Sequence, residues 1–225
     1  MSKSLTQQFA GYRFLLTAQL VVLIVLAALD HQIQLRFFTG ALFLLIILAG
    51  LRAITRERKH IVAMLIFAAL AMLGYLAQLL APNAAWQTLY LLGFLLFFAM
   101  ASFLMLRDIL VRSREVSADL IVGSVSVYLM LGLGFAFLYA LLETLMPGSF
   151  GGLEAVQGGR EPIAPLIYYS YVTLTTLGYG DVSPVTNLTM TMAYLEAILG
   201  QLYLAVLVAR LVGIHVSRSA SPQSH

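Results

Sequence analysis

The residues with most chemistry to offer sit in one stretch, YYSYVTLTTLGYGDVSPV, from Tyr168 to Val185. It holds three threonines, two glycines and a single acid, and it lies between two long apolar runs. Pro162 and Pro165 precede it, and proline suits the first turn of a helix. The eleven residues after Pro165, LIYYSYVTLTT, are too few to cross a bilayer. They read as a re-entrant helix that enters the membrane and stops partway, with TLGYGD as its non-helical return. Backbone without helical hydrogen bonds is tolerated at membrane depth only where it is buried in protein or lines a water-filled path. The carbonyls of such a return need a partner, and a dehydrated cation is one. Gly178 and Gly180 permit backbone conformations closed to other residues. Thr176 adds a hydroxyl, and the partially negative C-terminal end of the short helix also favours a cation. The chemistry offered is cation coordination by backbone oxygen.

The elements that must position this stretch are membrane helices. The chain has 225 residues, of which 61% are hydrophobic and 10% charged, with a mean hydropathy of +0.93. Soluble domains are about 45–50% apolar and about 25% charged. The composition therefore implies an integral membrane protein. Without cysteine, disulfides and thiolate metal sites are excluded. Six apolar runs can be drawn: Phe14–Leu29, Phe37–Ala53, Ile61–Leu80, Leu89–Leu106, Leu120–Leu142 and Leu188–Gly213. The notch APNAAWQT, Ala81–Thr88, divides the third from the fourth, with proline and asparagine for the turn and Trp86 suited to an interface. Lys3 and Arg13 precede the first run as in a signal peptide, but LAALDHQ is a poor cleavage site and more spans follow, so the run reads as a span.

Lysine and arginine set the orientation. Eleven of the thirteen basic residues fall on one side of a six-span drawing, leaving Arg36 and Arg160 on the other. The crowded side is then cytoplasmic, both termini lie inside, and the Tyr168–Val185 loop faces out. The net charge of +3 belongs to this distribution, not to nucleic-acid binding. The outer face carries Asp30, Glu143, Glu154, Glu161 and Asp181, an excess of acid that concentrates cations.

Thr176-Leu177-Gly178-Tyr179-Gly180, followed by Asp181, resembles the selectivity filter of potassium channels. Tyr168 and Tyr169 stand where that family has an aromatic pair on its pore helix, Thr175-Thr176 matches its double threonine, and Pro184 follows the aspartate. Gly200, twenty residues after Gly180, stands at the family's gating-hinge glycine. The resemblance covers about Leu120–Gly213. A bare GYG is a weak signal, whereas TTxGYGD after a short aromatic helix and between two spans is specific. The resemblance implies an all-α membrane protein with six transmembrane helices, and a re-entrant pore helix and filter loop between helices five and six. One loop per chain cannot close a ring of carbonyls, so it also implies a homotetramer. Potassium would bind at the carbonyls of Thr176, Leu177, Gly178 and Tyr179 and the Thr176 hydroxyl, with Gly180 completing the filter. Thr175, Asp181, Tyr168 and Tyr169 would support it. Potassium is then the permeant ion and no cofactor is implied. Two departures stand out: Leu177 replaces the usual valine, and Val172 stands where some members carry a glutamate, so an acid pair with Asp181 is absent.

Other marked residues remain open between roles. Glu196, one turn before Gly200, is the one acid within a span, and intramembrane acids are functional or partnered. It reads either as a pore-lining carboxylate or as a buried acid bonded to Tyr, Ser or Thr of the pore helix. Gln201, Leu204 and Val208 share a helical face and either line an inner cavity or pack. Gly123, Gly132 and Gly134 allow close helix approach. Asn187-Leu188-Thr189 matches a glycosylation acceptor but abuts the membrane.

The chain divides into residues 1–115, with a voltage-sensor layout, 116–214, a pore domain, and 215–225, a short cytoplasmic tail. Span four, TLYLLGFLLFFAMASFLML, lacks the repeated arginines that voltage sensing requires. Arg107, Arg112 and Arg114 follow it at the cytoplasmic edge, in a segment Arg107–Asp119 that reads as an interfacial helix or a plain linker. The short tails leave no room for a cytosolic gating domain, so any such gating needs a separate partner. The expected function is a potassium-selective channel of a cell membrane, not gated by voltage through arginines and bacterial in style. The alternatives are a non-selective cation channel and a non-conducting membrane sensor or scaffold. An enzyme is not expected, because Glu196 has no catalytic partner and no acid–histidine cluster has metal-ligand spacing.

Overall fold

Apolar runs separated by short polar notches fold as helices because a helix satisfies its backbone internally, which lipid demands. The structure, a computed structural model, describes residues 2–28, 35–53, 58–112, 118–154 and 163–219. Its helices are α1 (Ser2–Ala28), α2 (Leu35–Ala53), α3 (Arg58–Leu80), α4 (Ala84–Arg112), α5 (Ala118–Leu145), the short α6 (Ala164–Leu174) and α7 (Asn187–Ser219). Two-residue strands β1 (Phe150–Gly151) and β2 (Ser183–Pro184) pair antiparallel, with Phe150 opposite Pro184 and Gly151 opposite Ser183. The six long helices fall on the six apolar runs. Among the described residues, segments of α3, α4, α5 and α7 are long and apolar enough to cross a membrane, whereas those of α1 and α2, Gly11–Val25 and Gly40–Leu51, are shorter.

The helices run past the expected limits where charge sits at their ends. Arg107 to Arg112 continue α4, so that half of the Arg107–Asp119 connection is helical; residues 113–117 lie outside the described residues. The turn between α3 and α4 forms at the notch, where Asn83 Oδ1 accepts the Trp86 N–H at 2.9 Å and caps α4.

α4 packs between α3 and α5, and α1 packs on α2 and α5. Aromatic rings fill the junction. Phe137 of α5 stacks on Phe94 of α4 at 4.8 Å and on Phe98 at 5.5 Å, and Phe43 of α2 meets Phe94 at 5.0 Å. All four rings are buried. In a lipid setting such packing, not water exclusion, drives helix association. Two of the three glycines expected at close approaches find them, Gly123 against the Tyr12 ring and Gly132 against the Tyr171 ring, whereas Gly134 has only ordinary contact with Phe98. Gln19 Nε2 of α1 donates to Ser126 O of α5 at 3.1 Å, and Arg13 pairs with Asp119 at 3.0 Å at the exposed end of that contact.

The glycine-rich connection after α5 reads from its composition as an exposed loop, but its first part folds into the bundle. Ser149 and Phe150 are buried. Glu143 accepts the N–H groups of Gly148 and Phe150 at 2.8 and 3.1 Å, and the Phe150 ring lies 5.2 Å from Tyr169 and 5.3 Å from Tyr139. A carboxylate that caps the turn lets an aromatic ring drop into the bundle. Residues 155–162, with Glu161 and Pro162, lie outside the described residues.

Phe137→Ala removes the ring shared by α4 and α5. The expected loss is roughly 3 kcal/mol, read by denaturant unfolding in detergent, against little change for the exposed Phe103→Ala. Equal effects of the two would contradict this packing.

Candidate functional site

Pro165 opens α6 in its first turn, where its missing N–H costs nothing. Hydroxyls then pin the helix along its length. Ser170 donates to Gly132 O at 2.7 Å and Tyr171 to Leu129 O at 2.7 Å, while Tyr128 of α5 reaches back to Leu174 O at 3.1 Å. Tyr169 is buried against Tyr139 and Phe150. The helix ends at Leu174, two residues before the expected end, because Thr175 caps it and Thr176 turns to a φ of +59°. Among the described residues Thr176 is the one non-glycine at positive φ. A β-branched residue there is a true outlier, costing about 1–2 kcal/mol, and persists only where its surroundings hold it.

Gly178 and Gly180 follow at φ of +61° and +77°, while Leu177 and Tyr179 between them stay on the negative side. In an ordinary extended strand successive carbonyls point to opposite sides. Reversing the sign of φ at every second residue turns them toward one side. The donors are accounted for differently: Thr175 N–H bonds Tyr171 O at 3.1 Å, Thr176 N–H bonds Thr173 O at 2.9 Å, and Leu177 and Gly178 share Val172 O at 2.9 and 3.3 Å. Among the described residues, the carbonyls of Thr176, Leu177, Gly178 and Tyr179 accept no hydrogen bond from the chain. With the donors from Thr175 to Gly178 consumed and the acceptors left open, the segment is an oxygen-lined surface, suited to a cation.

Of the residues expected to support it, Tyr168 and Asp181 meet beside Tyr179. Tyr168 donates to Asp181 Oδ2 at 2.6 Å, and its ring stacks on Tyr179 at 6.5 Å and 11°. The Tyr168 hydroxyl, helped by the Val182 N–H on Oδ1 at 3.0 Å, holds the Asp181 carboxyl below the usual aspartate range. Thr175 turns its hydroxyl back to Tyr171 O at 2.7 Å. Val172 is buried, and Leu177 is 55% exposed on the single chain.

α7 passes behind and below. Gly200 lies in unbroken helix against the end of α6, where a methyl group would run into Leu174 O; close approach is the reason for glycine here. Glu196, one turn earlier, is buried, with Oε2 2.6 Å from the Tyr139 hydroxyl and Oε1 2.5 Å from Ser170 Oγ. Gln201 is exposed, its Nε2 3.5 Å from the Thr176 hydroxyl, and Leu204 and Val208 are exposed further along the helix. Thus Tyr168, Tyr179 and Asp181 come together at one end, and Thr176 and Gln201 at the other. The buried reading of Glu196, bonded to a hydroxyl of the pore helix, is the one the structure shows, with Ser170 as that hydroxyl. The sequence did not single out Tyr128 and Tyr139 of α5, whose signal was a polar atom in an apolar helix.

Residues 127–216, under half of the chain, match a family model described as an ion channel. The match spans the end of the structure that holds α6 and the open carbonyls, and it indicates an ion channel built into a multi-pass membrane protein. Comparison with curated proteins and with solved structures returned no match.

A carboxyl held low by its partner contributes to stability above the ordinary aspartate range, near pH 4, and loses that contribution as pH falls through the lowered value. Tyr168→Phe removes the main cause, so the Asp181 carboxyl-carbon NMR titration should move to higher pH. An unchanged midpoint would show that the 2.6 Å contact does not set it.

Proposed function

We propose that the chain is a subunit of a tetrameric, potassium-selective channel. The observation that carries the proposal is the run of open carbonyls at Thr176–Tyr179, with the N–H groups of Thr176, Leu177 and Gly178 tied to α6 and positive φ at every second residue. Four such segments around an axis would replace the hydration shell of an ion with rings of carbonyl oxygen. The Thr176 hydroxyl would add the innermost ligands and Gly180 would complete the filter. Thr175, Tyr168, Tyr169 and Asp181 would brace it. Potassium is the permeant ion in this reading, and the protein has no catalytic role.

In this reading α1–α5 and α7 all span the membrane, with both termini cytoplasmic, and α6 is re-entrant from outside. Residues 1–115 surround a pore formed by 116–214. The surround is not an arginine voltage sensor: the middle of α4 buries Phe94, Phe97 and Phe98, and its first arginine is the exposed Arg107. Gly200 is a candidate hinge and Gln201 a candidate lining of the inner cavity. The opening signal would come from lipid or from a separate partner.

Protein reconstituted in potassium-loaded liposomes should pass potassium under an outward gradient and exclude sodium. Gly178→Ala should abolish the flux while leaving the fold intact, since a methyl there meets nothing within 4 Å and is opposed by φ alone. Equal flux of both ions would favour a non-selective pore, and an undiminished flux in Gly178→Ala would overturn the filter assignment.

A further inference from the structure

Three buried side chains from three helices meet behind the open carbonyls: Tyr139 of α5, Ser170 of α6 and Glu196 of α7, each with 0% of its surface exposed. They make three close oxygen contacts. Tyr139 Oη lies 2.6 Å from Glu196 Oε2, Ser170 Oγ lies 2.5 Å from Glu196 Oε1, and Ser170 Oγ lies 2.7 Å from Gly132 O. Each contact needs a proton. The tyrosine hydroxyl carries one and the serine hydroxyl carries one, so an ionised Glu196 leaves three contacts with two protons. Two oxygens would then press lone pair against lone pair in a site without water access. The groups facing Glu196 do not make up the shortfall. They are Tyr128 and Tyr139 from α5 and Tyr169 and Tyr171 from α6. Among the described residues no cation pairs with it. An unpaired buried carboxylate is costly, and such a group takes up a proton instead.

We infer that Glu196 is a neutral carboxylic acid that donates to Ser170, and that this proton closes a three-helix clasp positioning the pore helix. The chain of donation runs from Glu196 Oε1 to Ser170 Oγ and from Ser170 to Gly132 O, while Tyr139 donates to Glu196 Oε2. Every contact then has one proton, and the three side chains carry no charge. The clasp grips α6 six residues before Thr176, while one turn further along α7 Gly200 abuts Leu174 O at the end of the same helix. α7 thus holds the short helix by a hydrogen bond and by direct backbone contact, and Glu196 is a positioning residue. Its role as a support for ion coordination rests on the channel reading above; its protonation does not.

The test is infrared difference spectroscopy on the purified full chain at pH 7, wild type against Glu196→Gln. Glutamine keeps the wiring, since its amide N–H donates to Ser170 and its oxygen accepts from Tyr139. The expected result is loss of a protonated-carboxyl C=O band in Glu196→Gln, a shift of that band in Ser170→Ala, and an unchanged unfolding temperature for Glu196→Gln. Loss of carboxylate bands instead, or a Glu196→Gln protein that unfolds at clearly lower temperature, would overturn the assignment. The spectrum is read without any flux, so a non-conducting wild type would refute the channel and leave this result standing. If the wild type conducts, Glu196→Gln should keep its potassium-to-sodium flux ratio.

Discussion

The structure around residues 164–181 depends on the account of backbone hydrogen bonds where a helix ends inside an apolar bundle. Every N–H and C=O removed from water needs a partner or costs free energy comparable to a lost hydrogen bond. α6 meets half of that demand by folding its own continuation back. Val172 O alone takes the Leu177 and Gly178 N–H groups, and Thr173 O takes that of Thr176. This closes the donors and turns the acceptors outward. The strain at Thr176 and the glycines at 178 and 180 follow from the same geometry, since only a sign change in φ at alternate residues brings the carbonyls to one side.

That geometry holds only if α6 itself is fixed, and eleven residues make a helix too short to hold its place unaided. Its neighbours supply hydroxyls where a membrane bundle has little else to bond with. Tyr128, Tyr171 and Ser170 tie it to α5, and Glu196 ties it to α7. Phe150 and Tyr139 fix Tyr169 from the side, and the β1–β2 pair with Glu143 holds the connection above. The aromatic junction of Phe43, Phe94, Phe98 and Phe137 then sets α5 against α4 and α2, so the remote helices reach the site through α5.

Much of this was legible in the sequence because membrane helices announce themselves by length and apolarity. The six runs, the turn at Asn83, the short helix after Pro165 and the non-helical return could each be read from residue types. Four of the six helices meet the length and hydropathy of a span among the described residues, and α1 and α2 cover the first two runs with shorter apolar segments there. The end of α6 was placed two residues late, because threonine gives no sign that it will take a positive φ. The buried Ser149 and Phe150 were hidden in a glycine-rich stretch that looks solvated. Glu196 stood out as an acid in a span, and a bond to a pore-helix hydroxyl was one of its two readings; its second partner, Tyr139 of α5, lies 57 residues away, where no local pattern carries the pairing.

The open carbonyls, the match of residues 127–216 to an ion-channel family model and the helices that frame them give one coherent reading, in which a short buttressed helix presents backbone oxygen to a cation. The most direct test is anomalous scattering from crystals of the assembled protein grown in rubidium, a cation close to potassium in size. The account predicts ordered peaks on a fourfold axis, each ringed by carbonyls from residues 176–179 of four chains. Density for an ordered tetramer with no such peak beside these residues would contradict it.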